Sequence, residues 1–215
     1  TNANALGSTN GNTVVCGYQF GGNGNIQLSG GIVVPEPLVL NGERSGNASS
    51  LYNSGGSNMW SGPITRSNQI RIHGAGSSTL AIKGGLTGSG GLLVLNSPGI
   101  IAFYEKPINV GTDTLYLETS GGTTVIGVSG NTWGATRILN NVCTLRLDVA
   151  DALPAATSLQ LGYDLLGARA CTLNLNGFNQ TVGQLFNYPK SMGIHTITTP
   201  TPATLTVNQS STNLY

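Results

Sequence analysis

Cys143-Thr-Leu-Arg-Leu-Asp148 and Cys171-Thr-Leu-Asn-Leu-Asn176 are nearly one hexapeptide written twice, and a chain that repeats itself is read first for its period. The same shape returns as Ser78-Thr-Leu-Ala-Ile-Lys83, Asp113-Thr-Leu-Tyr-Leu-Glu118 and Ala203-Thr-Leu-Thr-Val-Asn208, with steps of 35, 30, 28 and 32 residues between the five copies. Shorter relatives lie between them, among them Gln69-Ile-Arg-Ile-His73, Gly91-Leu-Leu-Val-Leu95 and Thr157-Ser-Leu-Gln-Leu161. Apolar and polar residues alternate within each unit, so Leu145 and Leu147 face one way and Thr144 and Arg146 the other. A strand this short cannot bury its apolar side alone, but copies stacked at a period of about 30 residues form a continuous core. The sequence therefore predicts an all-β chain, a single parallel β-helix of about seven rungs, right-handed because crossovers between parallel strands are.

If the five copies stack as one sheet, Leu80, Leu115, Leu145, Leu173 and Leu205 form an inward ladder. The first outward position is then Thr79, Thr114, Thr144, Thr172 and Thr204, and the second Ala81, Tyr116, Arg146, Asn174 and Thr206. Only the last copy pairs two threonines, which speaks against a flat ice-binding face and for a ladder that suits a pleated surface. Tyr116 and Arg146 become neighbours in this register and stand as candidates for recognition of a sugar or protein ligand. Cys143 and Cys171 occupy one place in successive copies, roughly 4.8 Å apart at the Cα atoms, a spacing open both to a disulfide and to two stacked, buried thiols. Cys16 is left over, and three cysteines do not make a disulfide scaffold.

At 215 residues, 8% charged and with 32 glycines, the chain has too few charges for a helical bundle. Residues 1–50 are the least regular and read as first rungs or an N-terminal cap, continuous with a repeat-built solenoid over 51–215. Asn41-Gly42 and Asn176-Gly177 are the sharpest turn signals, and Gly84-Gly85 and Gly90-Gly91 read as turns too. The net charge is +1 and the nine Lys and Arg are scattered singly, so no nucleic-acid partner is expected. No apolar run is long enough for membrane insertion, and residues 1–12 lack the regions of a signal peptide.

One stretch is specific enough to compare with a family. Ser129-Gly-Asn-Thr-Trp-Gly-Ala-Thr-Arg-Ile-Leu-Asn-Asn-Val-Cys-Thr-Leu-Arg-Leu147, then Ala152-Leu-Pro154, Ser158-Leu-Gln-Leu-Gly162 and Leu173-Asn-Leu-Asn-Gly-Phe-Asn-Gln-Thr-Val-Gly183, resembles the autotransporter-associated β-strand repeat. Asn58-Met-Trp-Ser-Gly-Pro-Ile-Thr65 is similar to the segment that precedes such a unit. The resemblance covers roughly residues 58–207 and implies a parallel β-helix displayed outside a bacterial cell, with adhesive or stalk function and no named reaction.

β-Helices also carry polysaccharide lyases and hydrolases, and such an enzyme is distinguished from a scaffold by its catalytic groups. The acidic residues are Glu36, Glu43, Glu105, Asp113, Glu118, Asp148, Asp151 and Asp164. Glu118 and Asp148 end equivalent copies and make the best pair for glycoside hydrolysis, but Asn176 and Asn208 hold the same place later, which favours a ladder of polar turn residues. His73, outward beside Arg71, is the best single general base. His195 shares no segment with an acid, and no spacing of His, Asp or Cys suggests a zinc or calcium site. No catalytic, metal or cofactor residue is assigned.

The expectation is thus a non-enzymatic, extracellular structural or adhesive segment on a bacterial cell surface. Self-association through the ends of the β-helix, into filaments, is expected from the unpaired strand after Ala203 and the charge-poor tail. The alternative is a carbohydrate-active β-helix, a lyase or hydrolase whose catalytic residues are unrecognised.

Overall fold

The computed structural model describes the chain except residues 1, 3–4, 8, 18–20, 44–47, 119–120, 140–141, 163–169, 189–192 and 210–215. Asp164 and most of the C-terminal tail therefore lie outside the described residues. Alternation of apolar and polar residues over four or five positions, broken by Gly, Asn, Ser and Pro, leaves each segment only one way to hide its apolar side. It must lie as a strand over the previous coil. The described residues accordingly hold strands and turns, with no helix and so none long and apolar enough to cross a membrane.

The coils build three parallel sheets. The first holds five strands: Thr13–Cys16, Leu38–Asn41, Ile64–Ser67, Leu86–Ser89 and Ile108–Asn109. The second holds eight: Ile26–Ser29, Leu51–Gly55, Ile70–Gly74, Leu92–Asn96, Thr114–Leu117, Ala135–Ile138, Ser158–Leu161 and Gln184–Asn187. The third also holds eight: Val33–Val34, Ser57–Trp60, Thr79–Ile82, Ile100–Tyr104, Thr123–Gly127, Cys143–Leu147, Cys171–Asn174 and Thr196–Thr198. Gln180–Val182 and Leu205–Val207 pair separately. The molecule is a parallel β-solenoid of about eight turns, one more than the repeat suggests, and its first turn begins at Thr13.

The true coil is shorter than the spacing of the hexapeptides. In-register partners on the third sheet run Thr79, Ile100, Thr123, Thr144, Thr172 and Thr196, so a coil takes 21 to 28 residues. The five-leucine ladder is therefore corrected. Leu80, Leu145 and Leu173 share a column of the third sheet with Ile101, Thr124 and Ile197. Leu115 belongs to the second sheet, between Leu93 and Thr136, and Leu205 pairs with Gln180. The reason is that strands of either large sheet need the same pattern, apolar inward at every second residue, so Thr-Leu-x-Leu marks a strand without marking its sheet. Leu205 is also only half-buried, whereas the other four leucines are fully buried.

Inward columns such as Trp60, Ile82, Phe103, Ile126 and Leu147 fill the interior, each aliphatic side chain contributing roughly 1.5–3 kcal/mol. At the corners, buried amides replace the hydrogen bonds that sheets would make. Asn131 accepts from Ile108 N at 2.7 Å and donates to Val128 O and Ala152 O at 2.6 and 2.7 Å. Gln180 accepts from Leu153 N at 2.9 Å and donates to Leu153 O at 3.0 Å. Both tie one coil to the next at a point where an unpaired backbone group would be costly. Coils approach so closely at Gly122 that a Cβ there would stand 1.7 Å from Ser97 O; only glycine fits. The turn residues Asn176 and Gly177 have φ of 51° and 85°, the left-handed region that Asn and Gly tolerate.

Arg66 breaks the rule of an apolar interior. It follows Ile64 by two, stacks between Leu40 and Gly88 in the first sheet, and points inward with its side chain fully buried. Its Nη1 donates to Asn68 O at 2.8 Å and its Nη2 pairs with Asp113, which also accepts from Gly90 N at 2.8 Å. Burial lowers the Arg66 pKa, and Asp113 opposes that by stabilising the charge. Cys143 and Cys171 face inward in register with no disulfide between them, Sγ to Sγ 4.0 Å, and Cys171 donates to Ile138 O at 3.1 Å. The hydrogen bond with Cys143, then burial, pushes the Cys171 pKa upward, so the Cys171 sulfur is not a poised nucleophile.

Candidate functional site on the outer face of the second sheet

The outward residues of the second sheet form two columns. One runs Arg71, Val94, Tyr116, Arg137, Gln160 and Phe186; the other Tyr52, His73 and Asn96. Tyr116 thus lies beside Arg137. Arg146 lies on the third sheet between Val125 and Asn174, so the Tyr116–Arg146 pair does not exist, again because the copies carrying them belong to different sheets. The same fact separates Glu118, which follows a strand of the second sheet, from Asp148, which follows one of the third.

Arg146 and Asp148 instead make their own cluster. Arg146 Nε and Nη2 donate to the two Asp148 oxygens at 2.8 and 2.9 Å, Asn176 Nδ2 donates to Oδ1 at 2.9 Å, and Tyr104 OH approaches Oδ2 at 3.3 Å. The Asp148 hydrogen bond raises the Arg146 pKa, while burial, then Asp148, raises that of Tyr104. The carboxylate is fully engaged in a bidentate pair.

The more concentrated chemistry surrounds Arg71. Ile70 and Ile72 point into the core, which turns Arg71 and His73 outward. Arg71 is nevertheless only 6% exposed, because Glu43 and Glu118 close on it: Glu118 pairs with Nη1, and Glu43 Oε2 lies 3.7 Å from Nε. Glu43 is held by Gln69 Nε2 at 2.9 Å. Arg71 Nε and Glu43 Oε2 are both buried and have no hydrogen-bond partner among the described residues. One strand over, the Tyr52 and His73 rings meet edge to face, centroids 5.0 Å apart and planes at 62°. Burial, then the Arg71 charge, lowers the His73 pKa, so this imidazole is neutral at neutral pH.

Tyr52, Arg71, His73 and Asn96 line a cleft of about 380 Å³ together with Asn25 and Ser49. The sequence singled out His73 and its neighbour Arg71 but missed Tyr52, Asn96 and the convergence of two glutamates. Glu118 lies 47 residues from Arg71, and Asp113 lies 47 from Arg66. In both cases an acid reaches across an intervening coil, so a search for Arg and acid at twice the coil length would have found both.

His195 lies at the far end of the molecule, accepting from Cys171 N at 3.2 Å and lining a second depression with Leu161, Leu185 and Phe186. Among the described residues no three His, Cys, Asp or Glu side chains gather as a metal site would require. No family model, curated protein or solved structure matches the chain.

Proposed function

We propose that this chain is a non-enzymatic structural or adhesive segment displayed outside a bacterial cell, in the manner of an autotransporter passenger region. The observation that carries the reading is the ion pairing of five of the seven described carboxylates: Asp113 is held by Arg66, Glu43 and Glu118 by Arg71, Glu105 by Lys83 and Asp148 by Arg146, which leaves only Glu36 and Asp151 outside an ion pair among the described residues. A hydrolase needs one carboxyl free to give or take a proton and another free to attack or activate water; ion-paired carboxylates serve the scaffold. The rival reading, a carbohydrate-active β-helix, draws on one feature, the approach of Glu43 and Glu118 beside His73, but a guanidinium stands between those two acids. Phe186 and Ile197, on the strands Gln184–Asn187 and Thr196–Thr198, are open to solvent, and apolar side chains exposed in this way support association between copies. The test is incubation of the purified chain with acidic and neutral polysaccharides, read by reducing-end and unsaturated-product assays. No turnover above buffer is expected; turnover abolished by Glu118→Gln or Glu43→Gln would overturn the reading.

A further inference from the structure

We propose that the cleft between Tyr52, His73 and Asn96 is a binding site for one unit of a neutral saccharide. The inference rests on the reading of the chain as a non-catalytic surface segment and gives that surface a ligand class.

Spent polar groups in the scaffold contrast with unspent ones in the cleft. Buried amides of the scaffold, such as Asn131 and Gln180, have both oxygen and nitrogen occupied. In the cleft, the side chains of Asn25, Ser49, Tyr52, His73 and Asn96 are half-buried, and none of them makes a hydrogen bond among the described residues. Five polar side chains gathered around one cleft and left unspent are what a ligand rich in hydroxyls requires, because asparagine, serine and neutral histidine each offer donor and acceptor capacity, as a hydroxyl does. Beneath them Arg71 Nε and Glu43 Oε2 lie 3.7 Å apart, both closed off from solvent, so the floor of the cleft is already paired and the half-buried side chains above it are what a ligand meets.

Charge selects the class further. Among the described residues Arg71 is the single ionised group lining the cleft, and two carboxylates already compensate it. An anionic sugar would gain no net attraction and would meet Glu43 and Glu118; a cation would meet the guanidinium. Tyr52 adds an aromatic ring, the apolar surface on which the C–H face of a pyranose packs. The cleft is shallow and of the size of one sugar ring rather than several. Strands stack every 4.8 Å or so, so an extended chain running along the solenoid would lay a further unit over the half-buried Tyr116.

The experiment is titration of the whole chain with a panel of neutral tetrasaccharides (cello-, xylo-, manno-, malto- and N-acetylchito-), with tetragalacturonate as the anionic comparison, by calorimetry and by amide chemical-shift mapping. At least one neutral member is expected to bind, shifting resonances of residues 48–53, 71–73 and 96, and Tyr52→Ala should weaken it about tenfold, the worth of one aromatic contact. Asn96→Ala, which removes no core contact, should weaken binding with an unchanged melting curve and so separates loss of the site from loss of the fold. Binding of none of the neutral sugars, preference for tetragalacturonate, or binding indifferent to both substitutions would overturn the assignment while leaving the scaffold reading intact. Cleavage of a bound tetrasaccharide would do the reverse, upholding the cleft and sinking the non-enzymatic reading.

Discussion

Leu145→Asp abolishes the cooperative unfolding transition of the chain. Leu145 is fully buried on the third sheet, stacked between Thr124 and Leu173. The substitution removes a burial contribution of roughly 1.5–3 kcal/mol and adds the cost of placing a carboxyl group among apolar side chains, several kcal/mol more. Together these are comparable to the whole stability of an ordinary domain, about 5–15 kcal/mol. In a solenoid the damage spreads both ways, because each coil is stabilised chiefly by its neighbours. Leu205→Asp is the informative comparison: that leucine is half-exposed on the short outer pairing with Gln180–Val182, and its loss should cost no more than about 1 kcal/mol. Circular dichroism melting curves of the two variants make the measurement, and a Leu145→Asp chain that melts like the parent would show the assigned inward face to be wrong.

Arg66→Ala ranks second in expected effect. Removing the guanidinium leaves the Asp113 carboxylate, 14% exposed, without its counter-charge, and it also strips a donor from Asn68 O. Breaking one side of a buried pair costs about 3–5 kcal/mol, whereas replacing both members with uncharged groups of similar volume costs far less. The double variant Arg66→Met with Asp113→Asn should therefore be more stable than Arg66→Ala alone. Urea denaturation midpoints decide: an Arg66→Ala midpoint equal to the parent's would mean that the ion pair contributes nothing. Burial lowers the Arg66 pKa, yet an arginine starts so high that this pair persists through neutral pH, and the difference between variants should not change between mildly acidic and mildly alkaline buffer.

Much of the architecture is legible from alternation alone. Leu145 and Leu147 inward, Thr144 and Arg146 outward, and the in-register stacking of Cys143 on Cys171 all follow from the hexapeptide pair. What alternation does not carry is sheet identity. A strand of the second sheet and one of the third meet the same requirement, so Leu115 and Leu145 look equivalent in sequence while lying on different sheets. Corner residues that determine the coil length, Asn131 and Gly122 among them, differ in type from coil to coil and leave no period to count. The site suffers the same loss. Tyr52 and His73 are neighbours only because Leu51 pairs with Ile72, and Glu118 reaches Arg71 only because two coils take 47 residues. Arg66 escapes a sequence reading for another reason: an inward arginine is indistinguishable from an outward one until its partner two coils away is located.

What defines the molecule is the coil itself, three sheets advancing by 21 to 28 residues rather than one sheet repeating every 30 or so. Paired cysteines test it directly. In a Cys16→Ser background, Thr79→Cys with Ile100→Cys places two outward thiols on adjacent strands in register, Cα atoms about 4.8 Å apart and within reach of a disulfide. Thr79→Cys with Thr114→Cys places them at equivalent positions of the hexapeptide but on the third and second sheets. On oxidation with diamide, read by non-reducing mass mapping, the first pair should close within the monomer and the second should stay open. Closure of the second pair and not the first would contradict the solenoid described above.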